Sequence, residues 1–398
     1  MAEHWGIGQR RGVLATLGVL VGAVLLGGCQ TIVPRAPVRP SDRPAPPPVQ
    51  AQPRVEAGIP QDVARQRVAL LVPLSGANAG VGQSLANATQ LAVLDTRTDK
   101  LRITTYDTNL GAAAAAQRAL ADGNKLILGP LLAEDVRVIA PIARRAGVPL
   151  ISFSNDVSVA GQGTFLLGYT PQQSIERVVA YARGRGMTAF AGLVPNGLYG
   201  DRASTAFLRA VESAGGRVVS LQTYDRAGGS LAAAITRLAR NAPYDAVLLA
   251  DTGGTAATAV PLVRRSSGGN TQFLGTDLWN AERSVASLPA LNGALFASVA
   301  DNLYLQFATK YRGRFGSAPY RLASLGYDSV LLTVRIMRDW PIGAPFPTAR
   351  LSDRGGFAGL DGAFRFSADG VAERALEVQQ INNGATTVVS PAPAGFGR

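Results

Sequence analysis

Polar and aromatic side chains follow several short apolar runs of this sequence, each at a point where a predicted strand ends. Hydroxyl, amide, phenol and carboxyl groups placed in this way can exchange hydrogen bonds with a small polar ligand. The residues concerned are Ser75, Ser152, Ser154, Asn155, Tyr199 and Asp277, together with Leu132 of the loop Gly129-Pro130-Leu131-Leu132. Each of them alone fits an ordinary loop or capping residue, but their joint occurrence predicts a binding site.

The residue types that most enzymes need are scarce. The chain has one histidine, His4, and one cysteine, Cys29, and both lie near the N-terminus. The rest of the sequence therefore excludes Ser-His-Asp and Cys-His catalysis, disulfides and His/Cys zinc sites. It contains no phosphate-binding loop with a lysine, and no pair of carboxylates stands out as acid and base. The sequence predicts no enzyme, no cofactor and no metal.

The stretch 126–156 reads as a strand, a helix and a second strand, because two apolar runs flank a segment with apolar residues at helical spacing. A unit of this size predicts parallel strands joined by a right-handed crossover. Ligands of open parallel sheets bind beyond the carboxyl ends of the strands, which here means the loops 129–132 and 152–156. Pro141 lies inside the helix and predicts a kink or a break.

The same alternation extends over most of the chain and predicts an α/β fold of two doubly wound, Rossmann-like lobes with a cleft between them. Further strands are predicted at 68–72, 101–106, 189–194, 217–224, 246–250, 272–274 and 294–298. Helices are predicted at 81–94, 112–121, 201–214, 230–240, 255–265, 303–315 and 322–339, and a hairpin-like end at 357–381. Thr170-Pro171-Gln172-Gln173 predicts the start of one more helix with a capping box. The predicted boundaries assign 67–169 and 276–338 to lobe one, and 170–275 and 339–390 to lobe two.

The N-terminus has the three parts of an export signal: two arginines, an apolar run, and small residues before Cys29. Leu26-Gly27-Gly28-Cys29 resembles the bacterial lipobox, so residues 1–28 are predicted to be a lipoprotein signal peptide and Cys29 the lipidated residue. A plain secretory cleavage site with an incidental cysteine is the alternative. Residues 29–66 are rich in proline and predict an extended linker. Such a linker reaches on the order of 100 Å.

The formal net charge of +12 on 398 residues indicates anionic surroundings such as phospholipid head groups, glycan polymers or nucleic acid. The arginines are scattered along the chain, so no specific basic site and no nucleic-acid partner is predicted. Apolar residues make up 47% of the chain and charged residues 17%, which is typical of an ordered globular protein.

Residues 68–94, VALLVPLSGANAGVGQSLANATQLAVL, resemble the opening strand, loop and helix of type I periplasmic binding proteins of the Leu/Ile/Val-binding class. The similarity continues through LILGPLLAEDVRVIAPIARRAGVPLISFSND, LVPNGLYGDRASTAFLRAVESAGGRVV and GFAGLDGAFRFSADG. The lipobox, the proline-rich segment and the LGPL and FSND loops are most similar to those of bacterial lipoproteins that activate penicillin-binding proteins. That resemblance implies a non-catalytic, lipid-anchored periplasmic protein that regulates peptidoglycan synthesis.

The resemblance also implies which residues would hold a ligand. In amino-acid binders of this class, hydroxyl groups of the loop after the third strand bind the ligand carboxylate. Leu131 and Leu132 stand at that loop here, which argues against amino-acid binding. The other positions that match the family's site are Ser152, Ser154 and Asn155 in the loop after the fourth strand, and Tyr199 and Asp277 as the aromatic and the acid of the second lobe.

Two functions stay open at this point. One is an activator of a peptidoglycan synthase; the other is a solute receptor that delivers amino acids or similar small polar solutes to an ABC permease. Gln30 follows the predicted lipidated cysteine, in place of the aspartate that retains lipoproteins at the inner membrane of enteric bacteria. The resemblance therefore favours anchoring in the outer membrane, and together with the long linker it favours the activator.

Replacing Cys29 by serine removes the only thiol in the chain. We expect the Cys29→Ser protein to leave the membrane fraction, because a hydroxyl group does not take the thioether-linked lipid. Fractionation of cells followed by immunoblotting measures the change, with Thr31→Ser as a control that keeps the thiol. Membrane retention of Cys29→Ser equal to that of the control would contradict the lipobox interpretation.

Overall fold

A computed structural model describes residues 64–227, 229–241, 243–267, 270–282, 284–393 and 395–396. Cys29, the predicted signal peptide and the predicted linker as far as residue 63 lie outside the described residues. Strands and helices alternate along the described chain in two lobes, which confirms the predicted α/β fold.

The first half of lobe one is a parallel sheet of five strands in the order β2-β1-β3-β4-β5. Its strands are β1 (Gln66–Val72), β2 (Leu101–Asp107), β3 (Leu126–Leu128), β4 (Leu150–Ser152) and β5 (Thr164–Leu166), and its helices are α1 (Ala79–Thr96), α2 (Ala112–Ala121) and α3 (Ala133–Arg145). Alternate residues of β1 face opposite sides of the sheet: Leu70 packs with α1, and Leu71 packs with α2 and α3. Both faces of the sheet are therefore covered, as a doubly wound fold requires.

Lobe two repeats this plan around a larger sheet. Its elements are α4 (Pro171–Gly184), β6 (Ala189–Pro195), α5 (Leu198–Ser213), β7 (Arg217–Tyr224), α6 (Leu231–Ala239), β8 (Ala246–Leu249), α7 (Gly253–Ser267), β9 (Gln272–Gly275) and β10 (Leu295–Ser298). Helices α4 and α5 cover one face of the sheet, around Phe190 and Leu248, and α6 and α7 cover the other face, around Leu193 and Phe273.

The last part of the chain returns to both lobes. Its elements are α8 (Asn302–Phe315), α9 (Ala323–Ile336), β11 (Phe357–Gly359), β12 (Gly362–Phe366), β13 (Ala372–Arg374), β14 (Glu377–Asn382) and β15 (Ala385–Ser390). Helices α8 and α9 pack on α1, and strands β11 to β13 form a small antiparallel sheet against α9, so all five belong to lobe one. Strands β14 and β15 extend the sheet of lobe two, in the order β15-β14-β10-β9-β8-β6-β7.

This arrangement corrects the predicted boundaries of the lobes. Strand β10 was assigned to lobe one within 276–338, but it pairs with β9 and β14 in the sheet of lobe two. Residues 339–374 were assigned to lobe two, but their buried side chains, such as Phe346 and Phe364, pack in the core of lobe one. The chain therefore crosses between the lobes at 167–170, 299–301 and 375–376.

The structure differs from the predicted secondary structure at β5, in α3 and at the start of α4. The sequence did not predict β5, a strand of three residues that also bridges Val371 through Leu166. Helix α3 continues across Pro141, so the predicted break does not occur. Helix α4 begins at Pro171 as predicted, but Thr170 makes no capping bond to the backbone. Gln173 instead donates to Thr170 Oγ1 and to the carbonyl of Ala372, which joins α4 to β13.

Both lobes open with the same tripeptide, Leu-Val-Pro, at the end of their first strand, followed by a loop and a helix. In each lobe a glycine of that helix lies against the proline carbonyl: a Cβ atom on Gly82 would come within 1.7 Å of Pro73 O, and one on Gly200 within 1.6 Å of Pro195 O. Only glycine permits an approach this close. The helix that follows the first strand of each lobe therefore starts directly beside the carboxyl end of that strand.

Among the described residues, Asp156 and Arg202 form an ion pair that joins the two lobes. Asp156, which follows β4 of lobe one, is buried, and its Oδ2 lies 2.7 Å from Arg202 Nη2 on α5 of lobe two. Arg137 of α3, inside lobe one, reaches the same oxygen at 2.7 Å. Burial would raise the pKa of Asp156, but hydrogen bonds from Ser158 and the two guanidinium groups lower it, so the carboxylate is charged. The ion pair with Arg202 holds the lobes together on this side.

Removing Arg202 deletes the interlobe ion pair and leaves Asp156 paired within lobe one. We expect Arg202→Ala to favour separation of the lobes by about 1 kcal/mol, the scale of a partly exposed ion pair. Small-angle scattering of the ligand-free protein should show a larger radius of gyration. Arg137→Ala is the matched control. It also removes a guanidinium group that contacts Asp156 Oδ2, but Arg137 belongs to lobe one, so the interlobe ion pair stays intact. Equal scattering from both variants would contradict a role in holding the lobes together.

Candidate functional site

A cavity of about 430 Å³ lies between the lobes. Its apolar walls come from both sides and include Val81, Leu131, Leu132 and Phe153 of lobe one, Leu278 of lobe two, and Val299 and Leu376 of the crossing segments. Its polar lining residues include Asn78, Asn155, Gln173, Ser174, Asp277, Asn280, Arg321 and Arg374. A concave, mostly apolar space with a few polar groups is the usual form of a small-molecule site.

Three of the residues predicted from the sequence line this cavity, namely Leu132, Asn155 and Asp277. Asp277 begins a short 3-10 helix after β9, and its Oδ1 accepts a hydrogen bond from Ser174 Oγ at 2.9 Å. Burial raises the pKa of Asp277 above its usual value, because little water is available to solvate the charge. The carboxyl group is thus a hydrogen-bonding group of the cavity wall.

The four other predicted ligand residues do not line the cavity, and their hydroxyls are hydrogen-bonded to protein groups. Ser75 Oγ donates to Asp107 Oδ2 at 2.7 Å, and Tyr199 OH lies 2.9 Å from Thr276 Oγ1. Ser152 Oγ donates to Pro130 O at 2.9 Å, and Ser154 Oγ accepts the backbone N–H of Asp156 at 3.1 Å. The two buried serines tie the loop after β4 to the loop after β3 and to itself. Of the predicted ligand residues, Leu132, Asn155 and Asp277 therefore remain as candidates for binding in this cavity.

The cavity also contains two arginines that the sequence reasoning missed. Arg321 precedes α9, and its Nη1 lies 2.8 Å from Asp361 Oδ1 and 3.3 Å from Tyr169 OH, while Nη2 lies 3.5 Å from Asp301 Oδ1. The hydroxyl of Tyr169 also donates to Asp361. Arg374 ends β13 at the third crossing. Neither arginine belongs to a local motif, so no sequence signal pointed to them.

Asp328 of α9 is a second buried carboxyl group beside Asp361. Its Oδ1 accepts the backbone N–H of Leu360 at 2.6 Å, and its Oδ2 has no hydrogen-bond partner among the residues that the structure describes. Burial, and after it the charge of Asp361, raises the pKa of Asp328 to about 7. Burial alone would also raise the pKa of Asp361, but Arg321 and Arg374 lower it. At neutral pH Asp361 therefore carries a full charge, and Asp328 holds its proton for much of the time.

The described residues contain no group of three or more His, Cys, Asp or Glu side chains that could hold a metal ion. Among the helices of the described ranges, none is long and apolar enough to cross a membrane.

The raised pKa of Asp328 makes stability depend on pH. The folded chain keeps this proton up to about pH 7 and the unfolded chain loses it near pH 4, so the contribution of Asp328 to stability falls as the pH rises between them. Asp328→Asn removes this titration. We expect the free energy of unfolding of the variant, relative to the wild type, to rise by on the order of 1 kcal/mol per pH unit across that window.

Urea unfolding between pH 4.5 and 8 measures this difference. Asp99→Asn is the control, because it makes the same change at an exposed position. A constant difference in the free energy of unfolding between Asp328→Asn and the wild type would show that Asp328 titrates normally.

Comparison with known proteins supports the same fold. A family model described as periplasmic binding protein matches residues 65–386. An uncharacterized protein of Rickettsia prowazekii (strain Madrid E) is 21% identical over 330 residues, which cover 80% of this chain and 86% of that protein. The crystal structure of a putative branched-chain amino acid ABC transporter from Rhodospirillum rubrum has a TM-score of 0.73 and 22% identity, and the match covers 82% of this chain and 100% of the other.

A third relative was solved with a ligand. The solute binding protein of an ABC transporter from Rhodopseudomonas palustris BisB5, in complex with 3,4-dihydroxy benzoic acid, has a TM-score of 0.64 and 18% identity, and the match covers 84% of this chain and 98% of the other. At these identities the likeness to solved structures shows the fold alone. The family model spans most of the chain and implies a periplasmic or extracellular location. The chain therefore belongs to the periplasmic binding proteins, in the type I class of the Leu/Ile/Val-binding family.

Proposed function

We propose that this chain is the substrate-binding component of an ABC transporter and that it carries a small solute in the interlobe cavity. The observation that carries the proposal is the cavity itself, which has apolar and polar side chains from both lobes. A ligand in such a place contacts both lobes at once and favours their closed arrangement. The solved relatives from Rhodospirillum rubrum and Rhodopseudomonas palustris, which are described as ABC transporter proteins, support the same class of function.

The proposed place of action follows from the N-terminus. The lipobox at Cys29 supports a lipid anchor, and the proline-rich segment up to residue 66 supports a tether that leaves the lobes free to move. The sequence features favour the outer membrane, whereas delivery to a permease requires access to the inner membrane. A tether on the order of 100 Å reconciles these two requirements, since it lets the lobes act far from the anchor.

A second candidate function, the activation of a penicillin-binding protein, is supported by different observations. The net charge of +12 suits a domain that works beside anionic glycan, and the long proline-rich segment suits a domain that reaches across the periplasm. Neither observation requires the interlobe cavity. The solute receptor explains why the protein has a cavity between two lobes, whereas the activator does not. The two functions therefore differ in whether the cavity is needed.

Filling the cavity tests the proposal. Leu132 lines it, and Leu132→Trp places a large ring in a space of about 430 Å³. We expect the full chain, purified in detergent, to bind a member of a panel of amino acids and small carboxylic acids, and to lose at least about tenfold in affinity in this variant, since overpacking costs about 1–3 kcal/mol. Isothermal calorimetry measures the binding, and small-angle scattering measures the closure of the lobes.

Leu110→Trp is the control, because it makes the same substitution at a leucine that is 80% exposed and does not line the cavity. Loss of binding in Leu132→Trp alone supports the receptor. If no solute on the panel binds, and the wild type and Leu132→Trp stimulate glycan polymerisation by a penicillin-binding protein equally, the activator replaces it.

A further inference from the structure

The chain passes from lobe two to lobe one once more after its last strand. Strand β15 ends at Ser390 in the sheet of lobe two, and residues 391–393 and 395–396 of the segment that follows are described. The ring of Phe396 lies beside strand β12 of lobe one, with its centroid 4.7 Å from Cζ of Arg365. This C-terminal segment, from Pro391 to Phe396, therefore has one end on each lobe. Chain ends are usually poorly ordered unless specific contacts hold them.

One guanidinium group fixes the start of the C-terminal segment. Arg177 of α4 donates through Nη2 to Ser390 Oγ at 2.6 Å and to Pro391 O at 3.4 Å. Its Nε donates to Leu376 O at 3.0 Å, and Leu376 belongs to the third crossing and lines the cavity. Ser390 also pairs with Val378, which follows that crossing. The C-terminal segment therefore leaves lobe two directly beside the third crossing, and Arg177 joins the two.

The other end of the C-terminal segment is held by the small antiparallel sheet of lobe one. The guanidinium group of Arg365 lies over the ring of Phe396 and pairs with Glu373 of β13 through Nε at 2.8 Å. The ring also lies against Gly356, since a Cβ atom there would come within 3.1 Å of Phe396 Cδ2. The face of an aromatic ring attracts a cation electrostatically. The contact with lobe one is therefore attractive as well as apolar.

We infer that the C-terminal segment is a strap that restrains the separation of the lobes. Its start moves with lobe two and the ring of Phe396 is held by lobe one, so a rotation about the crossings displaces the two ends relative to each other. Pro391 to Phe396 are six residues, and a segment of this length reaches at most about 20 Å. A contact made only while the lobes are close shifts their equilibrium toward that arrangement. The inference concerns the movement of the lobes and does not depend on the solute.

Spin labels on the two lobes measure this restraint. The only thiol of the chain is removed by Cys29→Ser, and Gln90→Cys on α1 with Arg209→Cys on α5 then gives one exposed labelling position in each lobe. Double electron–electron resonance on the full chain in detergent gives the distribution of distances between the labels. We expect Phe396→Ala to raise the ratio of long-distance to short-distance populations about two- to fivefold, the scale of an exposed cation-π contact.

Matched variants assign the effect to this contact. Phe396→Tyr keeps an aromatic ring and should keep the wild-type distribution. Deletion of residues 397–398, which follow the ring, should also leave it unchanged, whereas deletion of residues 392–398 should act as Phe396→Ala does. Arg365→Ala removes the cation from the same contact. Phe396→Ala and Arg365→Ala together should therefore have no larger effect than Phe396→Ala alone, because the contact is lost only once.

The distance distributions decide for or against the strap. A shift toward longer distances in Phe396→Ala that is absent from Phe396→Tyr, and that Arg365→Ala does not enlarge, supports the inference. An unchanged distribution in Phe396→Ala, a shift toward shorter distances, or effects of Phe396→Ala and Arg365→Ala that add would overturn it. No solute is present in these measurements, so their result is independent of the proposed function. Circular dichroism confirms that each variant is folded, and should the shortened chain not fold, the single substitutions still decide the matter.

Discussion

The arrangement of the two lobes depends on one buried cation. The side chain of Arg321 is 11% exposed and reaches Asp361 at 2.8 Å, Ser324 at 3.0 Å, Tyr169 at 3.3 Å and Asp301 at 3.5 Å. Tyr169 lies on the first segment that crosses between the lobes and Asp301 on the second. Because a buried charge is tolerated only with its partners in place, these contacts hold both crossings against lobe one. The cavity lining, which is mostly apolar, therefore includes Arg321, which belongs to a network of charges.

A second constraint on the site is the close approach of the helix after each lobe's first strand to the end of that strand. Gly82 lies against Pro73, so the first turn of α1, with Val81, stands at the carboxyl end of β1. The equivalent contact of Gly200 with Pro195 places α5, and with it Arg202, beside the loop that holds Asp156. Both helices reach the cleft at their N-terminal ends. In lobe one the N-terminal end of α1 lines the cavity, and in lobe two the N-terminal end of α5 forms the ion pair with Asp156.

The sequence predicted what depends on neighbouring residues. Apolar runs such as Val68–Val72 identify strands whichever partner they pair with, and Leu-Val-Pro followed by glycines identifies the turn into a helix. The sheet that a strand joins cannot be predicted in this way. Strand β10 has the same local pattern whether it pairs in the sheet of lobe one or in that of lobe two. The hydrogen-bond partner of a hydroxyl group also depends on residues that are distant in the sequence. Ser152 was correctly placed at a strand end, but its bond to Pro130 O depends on how closely the next loop packs.

Arg321 and Arg374, the two arginines of the cavity, show even more clearly that neighbouring residues do not reveal long-range contacts. Arg374 lies in a stretch that predicts a hairpin, and nothing in its neighbours shows that Leu167 and Gln173, about two hundred positions away, take up part of its hydrogen-bonding capacity. Both partners belong to the first crossing and the helix that follows it. Arg374 thus joins the third crossing to the first, while Arg202 and Asp156 form the separate contact between α5 and the β4 loop. These contacts are physically distinct, because one lies at the segments through which the chain crosses and the other lies between the lobes themselves.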